Sequence, residues 1–92
     1  MPRSKVEVRR PRLYKVLLHN DDYTPMEFVV EILESVFKKD NTVATKIMLD
    51  VHEKGKGICG VYPAEIAETK VAQVTEKALR SKFPLKCSME EE

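Results

Sequence analysis

The stretch Asn20-Asp21-Asp22-Tyr23-Thr24-Pro25-Met26-Glu27 constrains this chain more than any other. It is a polar, acidic turn that runs directly into a helix start. Thr24 is placed to cap that helix, and Pro25 suits the first helical position, where a missing N–H costs nothing. Glu27 completes a Thr-x-x-Glu capping box. A turn fixed in this way presents Asn20 and two carboxylates together, as acceptors for a cationic group.

The elements on either side follow from periodicity. Leu13 to His19 reads as a strand with Tyr14, Val16 and Leu18 on one face, and with Leu17 making the other face partly covered. The first helix should begin after Thr24 and run to about Phe37. Phe28, Ile32 and Val36, flanked by Val29, Leu33 and Phe37, give it a wide apolar face. Asp40, Asn41 or Thr42 caps a second helix over about Val43 to Lys54, with Ala44, Ile47, Met48 and Val51 inward and Gly55 as an αL terminator. Gly57 to Tyr62 reads as a short strand whose glycines suggest a bulge or a close backbone approach. Pro63 and Glu65 open a third helix that runs to Arg80 or Ser81, with Ala67, Val71, Val74 and Ala78 at helical spacing. Pro84 precedes a third strand on which Leu85, Cys87 and Met89 alternate to one face. The expected fold is α+β, in the order β-α-α-β-α-β. Three short strands form an antiparallel sheet with the three helices packed on one face.

Charge is uneven along the chain. Residues 1–12 carry Arg3, Lys5, Arg9, Arg10 and Arg12 against Glu7, and Glu90 to Glu92 are acidic, while the residues between balance. The expectation is a flexible basic N-terminal tail over residues 1–12 and a single domain over residues 13–92. With no basic stripe on the body and few aromatics, nucleic-acid binding is not expected. No apolar run is long enough to span a membrane, and no secretory signal follows the basic N-terminus. Cys59 and Cys87 form no metal-type spacing, which suits free thiols in the cytoplasm.

Several chemistries compete for the polar residues. A metal finds no EF-hand spacing. A nucleophilic arrangement of His52, an Asp and Cys59 would need a thiol activated within an apolar strand, where burial leaves it inert. No phosphate loop or serine elbow is present, so no catalytic residue, cofactor or metal is expected. Taken alone, His52 reads as a surface histidine and Asn20 to Asp22 as a turn with Asx-type bonds. A peptide's N-terminal ammonium joins these pieces with less strain. Asn20, Asp21 and a neutral His52 could each accept one of its hydrogen bonds, each contributing about 1.5–3 kcal/mol. Met26 and Val29 on the first helix, with Met48 and Val51 on the second, could line a pocket for the first side chain. The same residues could equally be plain core.

Tyr14-Lys15-Val16, the stretch from Asn20 to Val29, Met48-Leu49-Asp50-Val51-His52, Cys59-Gly60-Val61-Tyr62 and Ala67-Glu68-Thr69-Lys70-Val71-Ala72 together resemble the ClpS family, adaptors of the bacterial N-end rule. The resemblance covers about Leu13 to Glu90. It implies a non-enzymatic, monomeric, cytoplasmic adaptor. Such an adaptor binds N-degron substrates whose first residue is Leu, Phe, Tyr or Trp, and delivers them to the AAA+ unfoldase ClpA for degradation by ClpP. By the same resemblance, Asn20, Asp21, Asp22 and His52 would bind the α-amino group and first peptide unit. Thr24, Met26, Val29, Met48, Val51 and Leu85 would form or border the side-chain pocket, with Met26 rejecting β-branched residues. Glu65 and Lys70 would face the N-terminal domain of the unfoldase, and the N-terminal tail would be engaged during handover. Two departures from the family pattern stand out. His19 occupies a usually aliphatic position beside the amine site, where its protonation would weaken cation binding, and the tail before Leu13 is short. The alternative is a general protein-interaction module of the same fold without an α-amine site.

Overall fold

The computed structural model describes residues 11–92. The expectation of a flexible tail over residues 1–12 therefore falls almost wholly outside the described residues. Six elements follow in the expected order: β1 (Leu13–His19), α1 (Met26–Ser35), α2 (Asn41–Lys54), β2 (Lys56–Pro63), α3 (Ala64–Ser81) and β3 (Lys86–Glu91). The sheet is antiparallel throughout, with β1 central in the order β2-β1-β3.

Strand alternation decides which side of β1 meets the helices. Val16 and Leu18 are fully buried, and with half-buried Tyr14 they pack into the core. The inward faces of α1, α2 and α3 meet them there through Ile32 and Leu33, Ala44 and Val51, and Ala67, Val74 and Ala78. Leu17 points to the opposite face and is nonetheless 4% exposed, because Ile58 and Ser88 stand directly across from it on the flanking strands. The register between β1 and β2 shifts between Val16 and Leu17, so Cys59 is the extra residue of a β-bulge. The bulge turns Cys59 into the core at 1% exposure. Burial pushes its thiol well above the usual range, and likewise pushes that of Cys87 up to about 12. Both cysteines are free and buried, which removes the activated thiol that a nucleophilic mechanism would need.

The helix ends show where local chemistry overrides pattern. α2 is capped by Asp40, whose carboxylate accepts from the Val43 N–H at 2.9 Å. Its first turn therefore starts two residues before the expected Val43. α2 ends on Gly55 in the left-handed region, φ 91°, as its sequence suggests. α3 is capped instead by Lys82 at φ 60°, whereas α1 ends on Val36 in the right-handed region and the chain turns at Lys38, φ 57°, two residues on. The Phe83 N–H reaches back to the Ala78 carbonyl, which closes α3 in a Schellman pattern, while beyond α1 the Lys39 N–H reaches back to the Leu33 carbonyl. Phe83 then meets Phe28 edge-on at 4.8 Å and ties the end of α3 to the start of α1.

Gly57 lets α2 lie close over β2. A Cβ at that position would sit 2.8 Å from Val51 Cγ2 and 3.4 Å from the Ile47 carbonyl oxygen. Gly57→Ala should therefore force α2 off the sheet and lower unfolding stability by about 1–3 kcal/mol, read as a reduced urea midpoint with the slope retained. An unchanged midpoint would show that the close approach is not needed.

Candidate functional site

The site begins where β1 ends. The Asn20 N–H donates to the Gly55 carbonyl at 2.8 Å. This bond joins the exit of β1 to the αL terminator of α2 and brings two segments 35 residues apart into contact. Asp21 then organises the turn. Its Oδ1 accepts from the N–H groups of Tyr23 at 2.8 Å and Thr24 at 2.7 Å, and its Oδ2 accepts from the Thr24 hydroxyl at 2.7 Å. Partial desolvation pushes the Asp21 carboxyl up, but the Thr24 hydroxyl and the two N–H groups outweigh it and hold the group below the usual carboxylate range. Asp21 is therefore an anion at neutral pH.

This network corrects the capping-box expectation. Thr24 makes no cap bond to α1, and Pro25, not Thr24, is the N-cap. Pro25 has extended backbone at ψ 146°, and its carbonyl accepts from the Phe28 and Val29 N–H groups. The reason is competition: a carboxylate is the stronger acceptor, so Asp21 takes both the N–H and the hydroxyl of Thr24 and draws it away from the helix end. The turn is as firmly fixed as expected, by a different bond set.

A cavity of about 390 Å³ opens between this turn, α1 and α2, within the range of small-molecule sites. Asn20, Asp21, Asp22, Tyr23, Thr24, Pro25, Met26, Val29, Met48, Val51 and His52 line it. Two carboxylates and no Lys or Arg are among these residues, so the polar end favours a cation. Val29 and Val51 are buried at 6% and 2%, while Met26 stands 42% exposed. The other end is thus an apolar slot with a thioether at its margin. His52 reaches the cavity because it lies one turn beyond Met48 on α2.

Nine of the ten residues expected to bind an amine or form a side-chain pocket line this one cavity. Leu85 does not: it is 6% exposed and packed in the core just before β3. Tyr23 and Pro25 line the cavity without having been expected there. The one sequence signal for Tyr23 was an aromatic residue inside an otherwise polar turn. Glu65 and Lys70 lie apart from the cavity on α3. Glu65 is exposed in the first turn. The Lys70 ammonium is already engaged, donating to the Val36 carbonyl at 2.7 Å and lying 5.7 Å from the centre of the Tyr62 ring.

His19 also departs from expectation. It follows Leu18 by one residue and so points to the sheet face away from the helices, where its Nε2 lies 2.6 Å from Ser88 Oγ. It does not line the cavity. Desolvation by burial, then the charges of Lys86 and Lys56, lower its pKa against the opposing pull of Glu90. Among the described residues, no helix is long and apolar enough to cross a membrane, and no group of three metal-ligating side chains occurs.

These features define a small α+β domain with one cleft suited to a ligand that is cationic at one end and apolar at the other. Comparison with known proteins gives the family. Residues 9–88 match the family model described as ATP-dependent Clp protease adaptor protein ClpS. The ATP-dependent Clp protease adapter protein ClpS of Nitratidesulfovibrio vulgaris is 64% identical over 85 residues, 92% of this chain and 85% of that one. The protein of the same name from Shewanella pealeana is 62% identical over 92% of this chain and 83% of its own. The solved structure of Agrobacterium tumefaciens ClpS2 bound to L-phenylalaninamide superposes with a TM-score of 0.87 at 41% identity, covering 90% of this chain and all of that one. The chain belongs to the ClpS family, adaptors of the ATP-dependent Clp protease and not peptidases themselves.

A pH consequence follows from His19. Its folded-state pKa lies below the ordinary 6.5, so the unfolded chain takes up the proton first. Its stabilising contribution is complete above that ordinary value and is lost as pH falls through the folded value. His19→Gln should therefore flatten the decline of Tm between pH 7 and 5 relative to the parent. Parallel declines in the two proteins would rule out this residue as the source.

Proposed function

We propose that the cavity captures the free N-terminal residue of N-degron substrates, with Leu, Phe, Tyr or Trp in first place, and that the adaptor hands them to a ClpA-type AAA+ unfoldase for degradation by ClpP. The observation that carries this reading is a cleft with two carboxylates, Asn20 and His52 at one end, Met26, Val29, Met48 and Val51 at the other, and no Lys or Arg among its described lining residues. An α-ammonium beside a large apolar side chain matches both ends. A carboxylate offers about four acceptor positions, and three hydrogen bonds occupy Asp21 within its own turn, so Oδ2 retains capacity for a ligand donor. Asn20 and His52 accept hydrogen bonds from the remaining ammonium N–H groups, and the exposed Asp22 adds negative potential at the mouth. L-phenylalaninamide, the ligand of the related structure, combines an aromatic side chain and a free amine with an amide where the next peptide unit would begin.

Thr24, Met26, Val29, Met48 and Val51 form the side-chain slot in this reading, and Met26 guards its margin. Branching at Cβ fixes χ1 and widens the side chain where it enters, so Val and Ile meet the thioether first. Glu65 and Lys70 mark the α3 surface offered to the unfoldase. Lys70 contributes mainly by holding the C-terminal end of α1 against α3, and Glu65 is the freer of the two. The proposed setting is the cytoplasm, as a monomer and without a cofactor.

The test is a titration with a Phe-initiated peptide and its N-acetylated form. The free peptide should bind and the acetylated one should lose about a hundredfold or more, the combined effect of two or three charge-assisted bonds. Equal binding of the two would end the proposal in favour of a general interaction module. Affinity for the free peptide should also fall as pH rises through the amine's own pKa of about 7.7–8.0. In a separate series, Met26→Ala should admit Ile- and Val-initiated peptides, and an unchanged selectivity profile would remove Met26 as the gate.

A further inference from the structure

A ligand that buries its first side chain and its amine must still lead the rest of its chain out of the cavity. The exit is set by burial. Val29 and Val51 form the closed inner wall at 6% and 2% exposure, whereas Tyr23 is 79% exposed, more than any other large hydrophobic side chain described, and Met26, also in the lining, is 42% exposed. The outgoing chain therefore passes over a rim on which Tyr23 is the most prominent surface.

Tyr23 differs from the other aromatic residues of the protein. Phe28 is paired with Phe83 and Phe37 with Tyr62, and Tyr14 is packed against the core. Tyr23 alone holds its ring in solvent, inside an otherwise polar turn. Its backbone is not loose. The Asp21 carboxylate accepts from its own N–H and from the N–H and hydroxyl of the next residue, Thr24, which fixes the direction of its Cα–Cβ bond. The result is an unoccupied aromatic surface at the mouth of the cleft, carried on a firmly held backbone. Tyrosine serves binding well in such a place, because it offers a large apolar face at little conformational cost while its hydroxyl stays wet.

We propose that Tyr23 forms a contact surface for the second residue of the bound chain, favouring a bulky apolar side chain there over glycine. This rests on the N-terminal recognition proposed above and extends it from one residue to two. Selection by the cleft then has two layers. The enclosed slot reads the first side chain, and the open ring face grades the second.

The experiment is calorimetric titration of three amidated ligands, L-phenylalaninamide, Phe-Gly-amide and Phe-Leu-amide, against the parent protein, Tyr23→Ala and Tyr23→Phe. The parent should bind Phe-Leu-amide about three- to tenfold more tightly than Phe-Gly-amide. Tyr23→Ala should bring that ratio close to one, and Tyr23→Phe should keep it, because the ring and not the hydroxyl makes the contact. A ratio that survives in Tyr23→Ala overturns the inference while leaving N-terminal recognition intact. So does a loss for phenylalaninamide as large as that for Phe-Leu-amide, which would assign Tyr23 to the first-residue slot. Failure of the folded parent to bind any of the three would overturn both proposals together.

Discussion

The hydrogen bond from the Asn20 N–H to the Gly55 carbonyl is the constraint on which the site depends. Gly55 can offer that carbonyl because a residue without Cβ accepts φ 91° and reverses the chain at the end of α2. The bond sets the exit of β1 against that end, so the acidic turn and His52 meet although they are far apart in sequence. Gly57, two residues on, sets the height of α2 above the sheet. The cleft is therefore framed by backbone geometry before any of its lining side chains contributes.

Asp21 has two uses within that frame. It is the acceptor that fixes the turn, and it is part of the negative lining of the cleft. One carboxylate serving both ends couples the charge of the cleft to local rigidity, since the bonds that hold Thr24 and Tyr23 in place also keep the group ionised. A preformed site of this kind does not need to be ordered by its ligand, which lowers the entropic cost of binding. It also fixes the Cα–Cβ direction from which Tyr23 projects at the rim.

Much of the molecule was legible in its sequence. Period-two alternation from Tyr14 to Leu18 identified the buried face of β1, and helical spacing identified the inward faces of α1, α2 and α3. Most of the proposed pocket could be named because its members fall at i, i+3 or i, i+4 on two helices. Where the structure departs from the expectation, tertiary geometry intervenes. Thr24 looked like a helix cap, but Asp21 offered it a stronger acceptor. Leu85, expected by resemblance to form or border the pocket, is packed in the core and is not among the cavity's lining residues. His19 looked adjacent to the amine site, yet adjacency along a strand alternates sides, and Ser88 holds it on the far face.

What the sequence by itself determined was the order and type of the elements, their apolar faces and the clustering of acceptors in one turn. These follow from local periodicity and from residues whose backbone preferences are strong. Only the tertiary structure decided which acceptors remain open to a ligand, that Lys70 is committed to the Val36 carbonyl, that Cys59 is bulged into the core, and that Tyr23 stands unpartnered at the rim. Those outcomes depend on which of several available partners comes close enough to bond, and that distance is fixed by packing between segments the sequence keeps apart.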